Sequence, residues 1–236
     1  MAKLGNMKTT TLLRAGFALA LALPVAAIAA NAPQPFTATY NVLKGDSPLG
    51  TATIKLASQG GGQFEYTNKS QGTSGLAALL SVSETSRFTW AGNVPQLVSY
   101  KYAMEGFKPK TRDVTVQGAT VQVQDNTKSY SYPAQPGMVD RNTLPLALGA
   151  ALGAGKKDIT IPVAVKQAVE SQQFKAAGSE KVKVAAGTFN AVRVDRVDEN
   201  KGFTAWYVPA KYPVPVKLAQ TDGGDLTLEL VSYSTP

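Results

Sequence analysis

The sequence of 236 residues contains no cysteine and no histidine. Without cysteine, the chain has no disulfide, thiolate nucleophile, iron–sulfur cluster, thiolate zinc site or lipidated N-terminal cysteine. Without histidine, it has no Ser–His–Asp triad, no imidazole acid or base near neutral pH and no histidine metal ligand. Charged residues are sparse too, at 17% compared with about 25% in an average globular protein. Carboxylate-only catalysis, Ser–Lys catalysis and calcium or magnesium sites remain compatible with this composition.

The first thirty residues have the three parts of a secretory signal peptide. They carry basic residues and no acidic one before an apolar run: Lys3, Lys8 and Arg14. The apolar run, 15–28, has 14 residues and is followed by small residues that include two A-x-A patterns. Because about 20 apolar residues are needed to cross a bilayer, we expect cleavage rather than anchoring. The predicted organisation is a cleaved signal peptide at 1–30 and a single domain at 31–236 in the periplasm.

The charge balance changes once the predicted signal peptide is removed. Three of the 24 basic residues leave and none of the 16 acidic ones, so the formal net charge falls from +8 to +5. This mild positive charge, in an exported chain, argues against a nucleic-acid partner. No other stretch of the sequence has transmembrane length, so no membrane anchor is expected after cleavage.

Most of the remaining sequence alternates between apolar and polar residues with the period of two that is typical of β-strands. In 36–42 apolar residues alternate with threonine and asparagine, and in 226–230 leucine alternates with threonine and glutamate. Turn residues, such as the glycines at 60–62, separate about a dozen such runs. One apolar and one polar face predict an antiparallel sheet. Because so many strands must protect their edges, we predict a mainly β protein with one large, β-barrel-like or strongly curved sheet.

Two short segments break the alternation and predict helices. The segment 74–80 is a short apolar turn with Ser74 as its N-cap. The segment 143–152 begins with Thr143 as N-cap and has Pro145 in its first turn. Its surface is apolar nearly all round, so we expect it to be buried. It is either an ordinary core helix or a lid over one end of the barrel.

Motifs that carry chemistry are weak. Asp222 and Asp225 flank two glycines in a pattern that loosely resembles a calcium loop. The later ligands of such a loop are missing, so a hairpin turn is expected instead. We predict no metal, no cofactor and no enzymatic activity.

Glu84 is an acidic residue on a predicted apolar face, which it shares with Phe88 and Trp90. If it is buried, it needs a lysine or arginine partner. If it stands at a strand start, it remains open to solvent. We expect the second arrangement.

The aromatic residues of the predicted inward faces are the best candidates for ligand binding. They are Tyr40, Phe64, Tyr66, Phe88, Trp90, Tyr100 and Tyr102. Leu146 of the apolar helix and Trp206 of a later strand complete the candidate set. Such a lining suits an apolar ligand, and it suits a filled core equally well.

Four basic residues crowd one predicted hairpin: Lys101, Lys108, Lys110 and Arg112. One interpretation is a solvated sheet edge, protected by its charges from pairing with another strand. The other is a contact surface for an anionic lipid or glycan.

The order of several motifs resembles a known family. Residues 180–194 form a strand, an A-G-T-F turn and a second strand, and 203–218 contain W-Y-V-P followed by a P-V-K strand. Upstream, F-x-A-x-Y occupies 36–40, and Asp140 leads into the leucine-rich helix. In this order the chain resembles the exported bacterial family called domain of unknown function 3108 (DUF3108), over nearly the whole predicted domain.

The resemblance implies a periplasmic or envelope location and an antiparallel, β-barrel-like fold. That fold is similar to the YceI-like isoprenoid-binding barrels, which are themselves lipocalin-like. It brings no catalytic residue with it. We therefore predict a non-enzymatic periplasmic protein that binds a lipid, isoprenoid or other apolar ligand inside the barrel. The alternative is a structural or adaptor protein of the envelope, with a filled interior and an envelope protein as its partner.

Overall fold

The computed structural model describes residues 1, 32–198, 202–221 and 224–236. The predicted signal peptide therefore lies outside the described residues, apart from Met1, and so does part of the turn predicted at 222–225. Asp225 itself has a φ of 55°, in the left-handed region typical of turns. Within these ranges, no helix combines the length and apolar character that a membrane span requires.

Fourteen strands, one α-helix and one 3₁₀ turn make up the described part of the chain. The strands are β1 (Phe36–Lys44), β2 (Ser47–Gly60), β3 (Gln63–Gly72), β4 (Ser81–Ala91), β5 (Val94–Glu105), β6 (Lys110–Gln117), β7 (Thr120–Asp125), β8 (Lys128–Pro133), β9 (Asp158–Ala164), β10 (Val169–Val184), β11 (Gly187–Arg196), β12 (Phe203–Tyr207), β13 (Lys217–Gln220) and β14 (Leu226–Ser234). The 3₁₀ turn spans Gly75–Leu79, and the helix α1 spans Leu144–Gly153. The prediction of a mainly β chain with one or two short helices is confirmed.

All fourteen strands belong to one antiparallel sheet, in the order β8-β7-β6-β5-β4-β3-β2-β1-β14-β13-β12-β11-β10-β9. The first and last strands pair at its centre, where Tyr40 of β1 lies opposite Leu230 of β14. The terminal strands of the order, β8 and β9, are not neighbours, so the sheet stays open. The connection between these two strands carries α1.

The segment 134–139 connects β9, at one end of the sheet, with the first residues of β5. Val139 donates its backbone N–H to Pro162 O at 2.9 Å and accepts that of Ala164 at 2.8 Å. On its other side, Met138 O accepts the N–H of Leu97 of β5 at 3.0 Å. The sheet therefore curls into a barrel-like form whose seam is made by a loop rather than by paired strands.

The interior follows from the alternation along the strands. In β1, Phe36, Ala38 and Tyr40 are buried, whereas the intervening threonines are more exposed. The large, fully buried side chains of the interior include Tyr40, Tyr66, Tyr207, Phe36, Phe88, Phe174 and Leu146. Burial of this much aromatic surface stabilises the fold without disulfides.

Helix α1 is part of the core. Leu146 and Leu148 are fully buried, and Tyr207 donates its hydroxyl proton to Pro145 O at 3.0 Å. A Cβ atom at Gly149 would lie 2.1 Å from Pro213 O, so only glycine permits this close approach of helix and loop. The structure therefore places α1 as a core helix and not as a detached lid.

Consecutive antiparallel strands place their turns at alternate ends of the barrel. We call the end with turns 61–62, 92–93 and 118–119 the cleft end. The opposite end, with turns 45–46 and 106–109 and the connection 73–80, is called the loop end.

Candidate functional site

The aromatic residues of the candidate ligand set are mostly buried, but they are packed against one another. The rings of Phe64 and Phe88 stack with centroids 5.6 Å apart, and Phe88 lies 6.4 Å from Trp90. Tyr40 donates its hydroxyl proton to Pro215 O at 2.9 Å. Tyr66 is fully buried. These side chains fill the middle of the barrel.

Two residues of the candidate set, Tyr102 and Trp206, are less buried than the others. Tyr102 is only partly buried, and the guanidinium of Arg141 lies 5.4 Å from its ring centroid. Trp206 alternates with the buried Ala205 and Tyr207, so its side chain lies on the opposite face of β12. Trp206 is partly buried there and packs against the edge of the hydrophobic core.

Trp206 is held on that face by two contacts. Its indole N–H donates to Oε1 of Glu180, and the ammonium of Lys217 lies 5.8 Å from its ring centroid. A cation over the face of an indole is a favourable arrangement. Together with its packing against the core, these contacts give Trp206 a structural role in the sheet.

An open cleft of about 670 Å³ lies at the cleft end, beside α1. Its lining includes Trp90, Leu146, Ala150, Lys211, Tyr212 and Tyr233. Sites for small molecules in proteins usually have volumes of about 300–1,000 Å³, so this cleft has the right size. Trp90 and Leu146 are the members of the predicted ligand set that line it.

The cleft exists because small residues occupy the face of α1 that lies toward the 209–213 loop. Gly149, Ala150 and Gly153 contribute little volume there. On the other side the wall is aromatic and well packed, with the rings of Tyr212 and Tyr233 4.8 Å apart. The cleft therefore has a rigid apolar wall.

Two polar groups stand at this wall. The ammonium of Lys211 lies 5.0 Å from the ring centroid of Tyr212 and 5.2 Å from that of Phe189. None of the ion pairs formed by the described residues involves Lys211. The Nε1 of Trp90 is buried and lacks a hydrogen-bond acceptor in the described part of the chain. Of the two groups, only the ammonium of Lys211 is exposed, so it is the donor that a ligand in the cleft can reach.

A second cleft, of about 320 Å³, lies at the seam of the sheet. Gln96, Ala134 and Met138 are among the residues that line it. No residue of the predicted ligand set belongs to its lining. We therefore take the larger cleft as the candidate site.

A buried polar cluster lies inside the barrel, around Glu84. The Oε1 of Glu84 accepts a hydrogen bond from the Tyr100 hydroxyl at 2.5 Å and lies 3.0 Å from Nε of Arg141. Its Oε2 accepts from Nδ2 of Asn68 at 3.3 Å. Glu84 is only 4% exposed, so the expectation that it is open to solvent is wrong. Burial and the neighbouring Glu84 carboxylate hold the pKa of Tyr100 well above its ordinary value, so its hydroxyl remains a donor.

Asp140 extends this cluster to the start of α1. Its Oδ1 accepts from Ser86 Oγ at 2.9 Å and from the backbone N–H groups of Asn142 and Thr143 at 2.8 and 2.9 Å. Thr143 makes no side-chain capping bond, so Asp140 rather than Thr143 caps this turn. Burial raises the pKa of Asp140 to about 6. The cluster thereby fixes the entry of α1 against β4.

The four basic residues of the β5–β6 hairpin do not form one surface. Lys108 and Lys110 are exposed at its tip, on the loop end. Lys101 is exposed along β5, opposite Asp113. Arg112 is paired with Asp125 at 2.9 Å. The structure therefore leaves two of the four, Lys108 and Lys110, available at the tip.

The described residues contain no group of three or more acidic side chains that could hold a metal ion. The residues that sequence reasoning missed are Lys211, Tyr212 and Tyr233 of the cleft, and Arg141 beside Glu84. Lys211 follows the W-Y-V-P motif closely, which is the one signal that marked this region. Tyr212 follows Lys211 directly, whereas Tyr233 and Arg141 come from distant parts of the chain and share no motif with the residues that they contact.

The family model for DUF3108, described as a protein of unknown function, matches residues 35–231. Comparison with curated proteins gives no significant match. Among solved structures, the chain is similar to a β-barrel-like protein of domain of unknown function DUF1849 from Brucella abortus, with 11% sequence identity and a TM-score of 0.52. The alignment covers 86% of this chain and 98% of the other.

At this identity the likeness to the Brucella protein shows the fold alone, and it agrees with the curled antiparallel sheet. The family match extends from just before β1 into β14, and it includes α1 and the 209–213 loop. The resemblance seen in the motifs is thereby confirmed over almost the same residues. The chain belongs to the DUF3108 family of proteins of unknown function.

Proposed function

We propose that this chain is an exported, non-enzymatic protein of the periplasm that binds an elongated apolar molecule with an anionic head group. The observation that carries the proposal is the cleft beside α1, where an aromatic wall lies next to the ammonium of Lys211, which forms no ion pair within the described ranges. The signal-peptide pattern of the first thirty residues supports the location.

The shape and lining of the cleft favour an apolar ligand. Trp90, Tyr212 and Tyr233 supply flat aromatic surface, and Leu146 and Ala150 supply aliphatic surface. Transfer of apolar ligand surface from water to such a wall is worth about 25 cal/mol per Å². An acyl or isoprenoid chain offers this kind of surface along its whole length.

The donor at the wall favours an anionic or accepting head group. The Lys211 ammonium lies over two rings, which limits its freedom before any ligand arrives. A carboxylate or phosphate there gains a charge-assisted hydrogen bond at a small cost in side-chain entropy.

The proposed site differs in place from the one expected from the sequence. The inward aromatic residues Phe64, Tyr66 and Phe88 are packed in the middle of the barrel, where ring-to-ring contacts occupy the space. The cleft uses the edge of that aromatic core, at Trp90 and Leu146. The proposed site therefore lies at one end of a filled barrel, whereas the sequence led us to expect a site inside a hollow barrel.

Contact quenching of tryptophan fluorescence tests this proposal directly. The chain has two tryptophans, and only Trp90 lines the cleft. In a Trp206→Phe variant, Trp90 is the sole reporter, and saturating dibromostearic acid is expected to quench its fluorescence. The matched Trp90→Phe variant retains Trp206, whose fluorescence is expected to stay unchanged. Absence of quenching at Trp90, or equal quenching of both reporters, would contradict the proposal.

A second candidate function is that of an envelope adaptor that works by strand addition. It is favoured by the packed interior and by the terminal position of β8 in the sheet. A photo-reactive residue in place of the exposed Ser131 would trap one defined envelope protein in cells if this function is correct. Loss of that crosslink on deletion of the trapped protein would identify it, and absence of any specific crosslink would exclude strand addition at β8.

A further inference from the structure

The loop end carries a group of large apolar side chains that the fold leaves in solvent. Leu76 is 74% exposed, Leu79 is 59% exposed and Phe107 is 64% exposed. Leu76 and Leu79 belong to the 3₁₀ turn between β3 and β4, and Phe107 belongs to the β5–β6 turn. Exposed leucine and phenylalanine on neighbouring loops are typical of interaction surfaces.

The two loops form one surface, because their backbones touch. A Cβ atom at Gly106 would lie 2.5 Å from Cδ2 of Leu80 and 2.9 Å from Leu79 O. Gly106 also has a φ of 129°, which L side chains rarely adopt. This glycine therefore allows the turn with Phe107 to lie directly against the segment with Leu79.

The apolar side chains are held in the exposed position by a well-bonded segment. Gly72 donates its N–H to Leu80 O at 3.0 Å. Nε2 of Gln71 donates to Ala78 O at 3.1 Å and to Leu80 O at 3.2 Å. The turn is thus anchored to β3 through its backbone while its leucines face solvent.

Positive charge flanks the apolar group. Lys108 follows Phe107 directly, Lys110 follows two residues later, and both are exposed. Neither takes part in an ion pair of the described residues. The carboxylate that precedes the turn, Glu105, accepts a hydrogen bond from Ser81 Oγ at 3.2 Å. The tip therefore presents two cations beside an apolar surface.

We propose that Leu76, Leu79, Phe107, Lys108 and Lys110 form a docking surface for an anionic lipid bilayer. Apolar side chains that enter the headgroup region, combined with lysines that attract anionic lipids, are the combination by which proteins bind a membrane surface. The cleft lies at the opposite end of the barrel, so a docked chain keeps it open to the aqueous side. The proposal does not depend on the proposed ligand, because it concerns different residues at the other end.

Sedimentation of the mature chain with large vesicles tests the docking surface. Vesicles with 30% phosphatidylglycerol in phosphatidylcholine are expected to bind the chain, and vesicles of phosphatidylcholine alone are expected to bind it much more weakly. The Lys108→Glu/Lys110→Glu variant is expected to lose at least about 25-fold in partitioning, since each of the two lysines near an anionic surface contributes roughly fivefold. Phe107→Ala is expected to weaken binding to the same vesicles, because apolar area leaves the interface.

The chain offers a matched control for each change. Lys181→Glu/Lys183→Glu alters the same charge at the same spacing on exposed positions of β10. Val231→Ala removes an exposed apolar side chain of β14. If the control variants lose as much partitioning as the loop-end variants, or if neither loop-end variant loses any, the docking surface is refuted. Circular dichroism checks that each variant is folded. If the Lys108→Glu/Lys110→Glu variant does not fold, Phe107→Ala by itself tests the docking surface.

Discussion

Nε of Arg141 lies 3.0 Å from Oε1 of Glu84, and this pair connects the segment before α1 to strand β4. The Glu84 side chain is 5% exposed, whereas that of Arg141 is 58% exposed. A carboxylate of the interior is thus neutralised by a cation that reaches it from the surface. Because a buried charge without a partner is costly, this pair controls how firmly α1 is attached.

We expect Arg141→Gln to lower the free energy of unfolding by about 1–3 kcal/mol, because it leaves a buried carboxylate with neutral donors only. Denaturation by urea, monitored by circular dichroism, measures the change. Arg87→Gln is the control, since Arg87 pairs with Glu65 at 3.1 Å but is 67% exposed. That change is expected to cost less than about 0.5 kcal/mol. Equal effects of the two variants would show that the Arg141 pair is merely a surface contact.

The raised pKa of Asp140 predicts that the stability of the fold depends on pH in an unusual way. Burial raises its folded pKa to about 6 from an ordinary value of 3.8. Between these two values the folded state binds a proton that the unfolded state releases, so the slope of stability against pH is negative there. This contribution is fully present below pH 3.8 and is lost as pH rises through about 6.

The expected measurement is a comparison of the wild type with Asp140→Asn from pH 4 to pH 7. Relative to the variant, the wild type is expected to lose about 2–3 kcal/mol over this range. The difference between the two proteins removes the contribution that other carboxylates make to the pH dependence of stability. One of these is Asp125: burial acts to raise its pKa, but hydrogen bonds from Lys166 and Arg112 outweigh burial and lower it. Parallel curves for the two proteins would mean that Asp140 titrates normally in the folded state.

The strands could be predicted because their signal is local. Alternation in β1 depends only on the residues of that strand, and burial of one of its faces follows from it. The order of strands required the structure, since the first strand pairs with the last. The order of the family motifs along the chain indicated the overall fold, but it did not give this strand order.

The candidate site was harder to predict because it depends on residues far apart in sequence. Glu84 meets Arg141 only through the return of the chain before α1, so no spacing rule indicates the pair. In β12 aromatic residues occur on both faces, with Tyr207 on one and Trp206 on the other. Alternation there cannot distinguish the inside from the outside. The cleft brings Trp90 together with Tyr233, which only the curled sheet makes neighbours.

Gly149→Ala is expected to damage both the fold and the cleft. The new methyl group would lie 2.1 Å from Pro213 O, so helix and loop must separate. Such overpacking costs about 1–3 kcal/mol, and it moves one wall of the cleft.

In contrast, a Cβ atom at Gly153 would meet nothing within 4 Å. Gly153→Ala is therefore expected to leave stability unchanged or to raise it by up to about 1 kcal/mol. Thermal unfolding of the two variants checks the contrast, and equal melting temperatures would contradict the close approach at Gly149.

The position of Lys211 predicts how the affinity of the cleft depends on the charge of the ligand's head group. Replacing the ammonium with a neutral side chain of similar length, in Lys211→Met, removes the charge-assisted hydrogen bond to a carboxylate head group. The affinity for stearic acid is expected to fall about tenfold, which corresponds to a bond of about 1.4 kcal/mol. The affinity for stearyl alcohol is expected to change little, because its head group carries no charge. Isothermal titration with both molecules measures the difference, with Lys183→Met as a control for loss of a lysine elsewhere on the surface. If the variant binds both molecules as tightly as the wild type does, Lys211 does not contact the head group, and the anionic part of the proposed ligand is wrong while the apolar part still stands.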